Sequence, residues 1–193
     1  KEQGWKYQQY IACLDPLGED RGKTPYALNP EQYGMFLTEL FNLWYEDWKK
    51  GEQPYIRQFE NYIGILLGYQ PESCEQRGSC GIQNVVEADG SVYPCDFYAL
   101  DEYKLGNFNC NRLEEIDKKR KEIAFVEQSQ IVAENCKNCK FYKICKGGCR
   151  RNKDFNAMNG EYENYFCKSY RIFFDICLER MIQIVEIIKN QKG

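Results

Sequence analysis

Tyr33, Phe36, Leu37, Leu40, Phe41, Trp44 and Trp48 recur at steps of three and four, the spacing of one apolar face of a helix. Asn29 before Pro30 supplies an N-cap and a first helical residue, and Gly51 after Lys49-Lys50 supplies the stop. Upstream, residues 7–13 (YQQYIAC) predict a short strand that exits into a loop at Leu14-Asp15-Pro16-Leu17-Gly18. Residues 7–50 therefore read as a strand, a polar loop and one long helix, a βα unit whose strand needs parallel neighbours. Residues 56–67 predict a second helix. Beyond Pro71 the pattern shortens: residues 84–87 and 91–93 predict two strands joined at Asp89-Gly90, a hairpin that returns Cys95 toward Cys80. A charged helix is expected over 113–128. A long one is expected over 163–190, with Phe166, Tyr170, Phe173, Phe174, Cys177, Leu178, Met181, Val185 and Ile188 on its buried face.

A hydrophobic share of 43% and an aromatic share of 15% in 193 residues are ample for a core, which sets aside a disordered chain. The sequence holds no apolar run of membrane-spanning length, and its first residues, KEQGWKYQQY, do not read as a signal peptide. A net charge of −3 gives no general pull toward nucleic acid or membranes. The expectation is a cytoplasmic monomer. Histidine is absent, which removes Ser-His and Cys-His nucleophiles and His-containing metal sites.

Eleven cysteines change the picture most. Cys136, Cys139, Cys145 and Cys149 follow C-x2-C-x5-C-x3-C, and Cys167 closes the stretch after a gap of 17 residues. The segment has few apolar side chains to surround four thiols, and it carries Lys137, Lys140, Lys143, Lys146, Arg150, Arg151 and Lys153, cations that favour thiolates. Metal ligation in a reducing compartment follows, rather than disulfides. With Cys74, Cys80 and Cys95 the set makes eight, enough for two four-coordinate sites. Cys13, Cys110 and Cys177 are left as small hydrophobes in a strand, a loop and a helix face. Zinc and iron–sulfur both suit all-thiolate sites, so spacing leaves both open. Gly147-Gly148 lets the backbone reverse before Cys149, which frees that cysteine to serve the other site.

The order Cys80, nine residues, Gly90, four residues, Cys95, then C-x2-C-x5-C-x3-C and a distant Cys167 resembles the SPASM signature, the C-terminal extension of radical S-adenosylmethionine enzymes that modify peptides. With Cys74, the Cys95-Asp96 pair and the segment Gln9-Tyr10-Ile11-Ala12-Cys13-Leu14-Asp15-Pro16, the chain resembles the anaerobic sulfatase-maturating enzymes. The resemblance implies an α+β fold: the last βα unit of a partial (β/α)6 barrel over 1–52, a helical linker over 53–73, a Cys-rich SPASM domain over 74–169 with a small hairpin, and a C-terminal helix over 170–193. It implies two auxiliary 4Fe-4S clusters with crossed ligation, one on Cys74, Cys80, Cys95 and Cys149, the other on Cys136, Cys139, Cys145 and Cys167. The resemblance further implies S-adenosylmethionine and a third 4Fe-4S cluster in the full-length enzyme, but the family's radical-generating C-x3-C-x2-C motif, which would hold that cluster, is missing. Cys145 and Cys149 have its first spacing, but Asn152 stands where its third cysteine would be, so the chain is expected to be the C-terminal portion of a longer enzyme.

By the same resemblance Asp96 is the proton acceptor for a substrate thiol or hydroxyl, and Leu14 lines the S-adenosylmethionine pocket. Read alone, Asp96 is a turn aspartate and Leu14 a core residue. The implied reaction converts a sulfatase Cys or Ser to Cα-formylglycine. An ordinary carboxylate is a weak base for a thiol, a mismatch of about 6 kcal/mol, so an Asp96 taken out of water beside a cluster is expected. The implied partners are a sulfatase peptide or unfolded sulfatase and an electron carrier such as flavodoxin or ferredoxin. The bare residues leave two other readings, a zinc module using its basic run with Phe141 and Tyr142 to bind nucleic acid and a ferredoxin-like electron carrier, in which the aromatic helices would have no use; the resemblance leaves a third, a maturase of another peptide.

Overall fold

In a computed structural model that describes residues 3–191, two long helices carry the packing. After β1 (Tyr7–Gln8), α1 (Pro30–Lys50) starts where expected. Gln32 N–H donates to Asn29 Oδ1 at 2.8 Å while Asn29 N–H reaches Gln32 Oε1 at 3.4 Å, a reciprocal capping box. Gly51 closes the helix in the left-handed region, φ 72°. β2 (Tyr55–Ile56) and α2 (Arg57–Leu66) follow. β2 pairs in parallel with β1 through Tyr7↔Tyr55 and Gln8↔Ile56, so β1 finds a parallel neighbour within this chain. Residues 9–13, expected as strand, are irregular.

The cysteine-rich middle is built from short pieces: α3 (Cys74–Arg77), β3 (Val85–Val86), β4 (Ser91–Tyr93), 3-10 turns at Asp96–Tyr98 and Asp101–Tyr103, and β5 (Gly106–Asn107). β3, β4 and β5 make one antiparallel sheet. The helix expected over 113–128 is two: α4 (Leu113–Glu122) and α5 (Phe125–Ser129), broken at Ala124 with φ 47°. The break turns Phe125 inward onto Tyr98, with ring centroids 5.1 Å apart in a T-shape, in a small core that also holds Cys95. α6 (Glu134–Lys137), α7 (Tyr142–Cys145), a 3-10 turn at Arg150–Asn152 and the hairpin β6 (Lys153–Asn156) and β7 (Glu161–Asn164) lead to α8 (Cys167–Asn190). The long helix thus begins at Cys167, not 163. Asn164 explains the stop: its Nδ2 donates to the Gly147 carbonyl at 3.0 Å and its Oδ1 accepts from Phe166 N–H at 2.8 Å, bonds that replace a helical turn.

α1, α2 and α8 share the main core, which is aromatic. Phe41, Phe59 and Phe173 are each fully buried, with Phe41 and Phe59 edge to face at 5.2 Å, a favoured ring geometry. α1 and α8 approach closely at Gly34, where a Cβ would stand 3.0 Å from Ser169 Cα. Phe141 and Ile144, from α7 and the residue before it, plug into the same core. That contact anchors the cysteine-rich segment to a rigid helical face.

Candidate active site and sulfur centres

The eight cysteines fall into two groups that cross the chain order. Cys136 in α6, Cys139 after it, Cys145 at the end of α7 and Cys167 at the start of α8 line one hollow of about 30 Å³ together with Tyr170 and Arg171. Burial pushes the Cys145 thiol up to about 12, and the neighbouring sulfurs that add to this are Cys136, Cys167 and Cys139. Cys149 lies four residues further on, yet it faces elsewhere. Burial pushes its thiol up to about 12 as well, and the groups that add to this are Glu75, Cys74 and Cys80. Cys95 is buried and likewise pushed up to about 12 by burial, with Asp96 and Cys80 contributing. Gly147 and Gly148 make the reversal, at φ 83° and 71°, a backbone that residues with a Cβ rarely adopt.

All eight thiols are free, as are Cys13, Cys110 and Cys177. Of these three, Cys177 is fully buried on α8 as expected. Cys13 and Cys110 are exposed and Cys13 lies outside any strand, so neither packs as a small hydrophobe. The described residues hold no group of three or more Cys, Asp or Glu side chains placed for a single metal ion. What the sulfurs offer is all-thiol donor chemistry that suits a cluster: one set of four lines a common hollow, and two sulfurs of the other set, Cys74 and Cys149, line a shared cavity.

Of the basic run, only its end turns toward sulfur. Arg150 bears on Cys80, and Lys153 on Cys136, Cys80 and Cys149, between the two sets. Lys137 pairs with Glu134, and Lys140 with Asp175 at 2.6 Å, so these cations are spent on surface acids. Arg171 of α8, unremarked in the sequence, faces Cys167 and Cys139. Its position one turn after Cys167 is a signal that a helical reading starting at Cys167 would have supplied.

A cavity of about 330 Å³ opens beside the first set and is lined by Leu14, Cys74, Glu75, Asp96, Cys149 and Arg151, among others. The structure thus brings Asp96 and Leu14 to one space, together with two of the four sulfurs. Asp96 sits at the first position of a 3-10 turn and Oδ1 accepts from Cys95 Sγ–H at 3.2 Å. It is exposed rather than taken out of water, a correction to the expectation, because the hairpin ends at the cavity wall and the turn lifts the carboxylate to its surface. Leu14 is half-buried against the main core and also lines the cavity.

Sequence reasoning missed Glu75, although Cys74-Glu75 repeats the Cys-acid pattern of Cys95-Asp96. Its Oε1 accepts from the Tyr170 hydroxyl at 2.5 Å. Burial pushes the Glu75 carboxyl up, against the Tyr170 hydrogen bond and the Arg57 charge. Arg57 was missed too; it lies on the cavity wall with Nη1 donating to Gln9 Oε1 at 2.9 Å.

Residues 74–140 match the SPASM iron-sulfur cluster-binding domain. The chain is 44% identical over 189 residues to the cysteine-type anaerobic sulfatase-maturating enzyme of Clostridium perfringens strain 13, covering 98% of this chain and 51% of that protein. It is 32% identical over 179 residues to the serine-type anaerobic sulfatase-maturating enzyme of Bacteroides thetaiotaomicron, covering 91% of this chain and 42% of that protein. The solved structure of native anSMEcpe with bound AdoMet and Kp18Cys peptide has a TM-score of 0.88 at 43% identity, over 96% of this chain and 51% of that one. The chain spans about half the length of the curated relatives it matches. Shared identity along nearly all of its residues, a common fold and the matched cluster-binding domain mean that the chain belongs to the family of anaerobic sulfatase-maturating enzymes.

Proposed function

We propose that this chain is the auxiliary-cluster part of a radical S-adenosylmethionine oxidoreductase that converts a Cys or Ser of a sulfatase peptide to Cα-formylglycine. The observation that carries the reading is the crossed grouping of the sulfurs, with Cys149 beside Cys74 and Cys80 and with Asp96 and Leu14 on the cavity next to them. The last βα unit of a partial barrel would lie within 1–52, a linker in 53–73 and the SPASM domain in 74–169, closed by α8 (Cys167–Asn190). Cys74, Cys80, Cys95 and Cys149 would hold one 4Fe-4S cluster, and Cys136, Cys139, Cys145 and Cys167 the other. The sets fit such groups: each is four thiols, and those at Cys95, Cys145 and Cys149 are pushed by burial toward the protonated form, a cost that iron in place of the proton removes. When bound, the clusters supply one-electron chemistry.

The residues of this chain do the rest of the work at the cavity. Leu14 offers an apolar wall for S-adenosylmethionine. The peptide enters from the open side, where Asp96 waits at the surface. An adenosyl radical takes a hydrogen atom from Cβ of the target residue, Asp96 takes the S–H or O–H proton, and one electron passes on to a carrier protein of the flavodoxin or ferredoxin class. A thioaldehyde from Cys then exchanges sulfur for water, releasing hydrogen sulfide and leaving formylglycine, while Ser yields the aldehyde directly. The arriving peptide removes water from the exposed Asp96, and the radical at Cβ acidifies the thiol. The nucleic-acid reading is weakened, since Lys137 and Lys140 of the basic run are paired with Glu134 and Asp175.

The test is the full-length enzyme purified without oxygen. It should carry about twelve iron and twelve sulfide, about eight of each on this half, and Cys74→Ala or Cys136→Ala should each remove about four iron. Asp96→Asn should lower formylglycine formation on the order of 10²–10⁴-fold at unchanged iron content. Zinc in place of iron, or full turnover by Asp96→Asn, refutes the reading.

A further inference from the structure

The segment after Leu14 folds back on itself around a carboxylate. Asp15, 1% exposed, accepts from Gly22 N–H at 2.7 Å, from Thr24 N–H at 2.8 Å and from Thr24 Oγ1 at 2.8 Å. Those bonds close the loop but do not fix where it stands. Arg151 does. Its guanidinium, in a residue 8% exposed, donates through Nη2 to the Asp15 carbonyl oxygen, and its own backbone N–H points at Cys149 Sγ at 3.4 Å. From the loop side, Arg21 donates through Nη2 to the Arg151 carbonyl at 3.1 Å and grips the Asp154 carboxylate from Nε and Nη2 at 2.9 and 2.6 Å. One residue thus holds the peptide next to Leu14 with its side chain and the sulfur of Cys149 with its backbone. Leu14, Asp96, Cys149 and Arg151 all line the same cavity.

A rigid guanidinium fork that spans two segments of the chain suits placement.

Resting on the function proposed above, we propose that Arg151 is a positioning residue that sets the distance between the Leu14 segment, with the S-adenosylmethionine it faces, and the sulfur site that carries Asp96. Its loss loosens the register between the radical source and the target Cβ while both sites stay assembled. Misplacement of about 1 Å costs on the order of 10²-fold in rate, and that loss should fall on hydrogen transfer to the peptide rather than on cleavage of S-adenosylmethionine.

The experiment uses the full-length holoenzyme with a peptide bearing the target Cys, and counts 5′-deoxyadenosine against formylglycine. The parent enzyme should form the two in equal amounts. Arg151→Gln should raise the KM for S-adenosylmethionine and release 5′-deoxyadenosine in large excess over formylglycine, with Arg151→Lys partly restoring the balance. Equal amounts from Arg151→Gln at full iron content overturn the inference. If that variant loses iron, Arg21→Gln carries the test, because it frees the loop from the far side without touching Cys149: excess 5′-deoxyadenosine at full iron supports the brace, and equal amounts overturn it. A parent enzyme that forms no formylglycine would overturn the function and this inference together, whereas coupled parent and coupled variants would sink the inference alone.

Discussion

Gly78 stands where the Cys74–Cys80 segment is pressed against the Cys145–Cys149 segment. It lies between Cys74 and Cys80 with φ 73°, and a Cβ placed on it would be 2.3 Å from the Lys146 carbonyl oxygen and 2.6 Å from Lys146 Cβ. Lys146 follows Cys145 and is itself left-handed, φ 56°, so neither strand of backbone can retreat without moving a cysteine. Gly78→Ala therefore carries two costs: about 1–2 kcal/mol for a left-handed alanine and about 1–3 kcal/mol for the collision. Gly160, at φ 73° with nothing within 4 Å of its would-be Cβ, carries the first cost alone. The difference between Gly78→Ala and Gly160→Ala isolates the collision, about 1–3 kcal/mol. At about 2–4 °C per kcal/mol for a domain of 150–250 residues, Gly78→Ala should melt roughly 2–12 °C below Gly160→Ala. Calorimetry of the two anaerobically purified holoenzymes measures it, with iron content as a second readout. Equal melting at equal iron would refute the claim that Cys74–Cys80 and Cys145–Cys149 touch through Gly78 and Lys146.

Phe173 is fully buried and packs on Phe41, Phe59, Tyr62 and Phe174, so Phe173→Ala should cost about 3–5 kcal/mol, read as a lowered denaturant midpoint. A loss below 1 kcal/mol would mean that α1, α2 and α8 do not share one core. Among the cysteines outside the two sets, Cys110 is exposed and should react with a maleimide within the native protein. Cys177, fully buried and pushed up to about 11 by that burial, should be labelled only on unfolding, as peptide mass spectrometry of the labelled protein would show.

The parts of this fold that were legible in the sequence are those whose cause is local. α1 announces itself because Asn29, Pro30, Gln32 and Gly51 act within a turn of its ends, and seven apolar residues mark its face. The start of α8 is hidden because Asn164 is bonded to Gly147, 17 residues away in sequence. β2 is hidden because two residues cannot show a period of two, and the break at Ala124 because its cause is the packing of Phe125 on Tyr98. The sulfur sites divide the same way. That cysteines at these spacings suit metal ligation can be read locally, but where Cys149 faces is decided by Gly147 and Gly148, which turn it toward Cys74, 75 positions earlier in the chain. The two-glycine reversal carries this placement: were that turn straightened, Cys149 would move back toward Cys136, Cys139 and Cys145, and the cavity that Asp96 and Leu14 share would lose one of its walls.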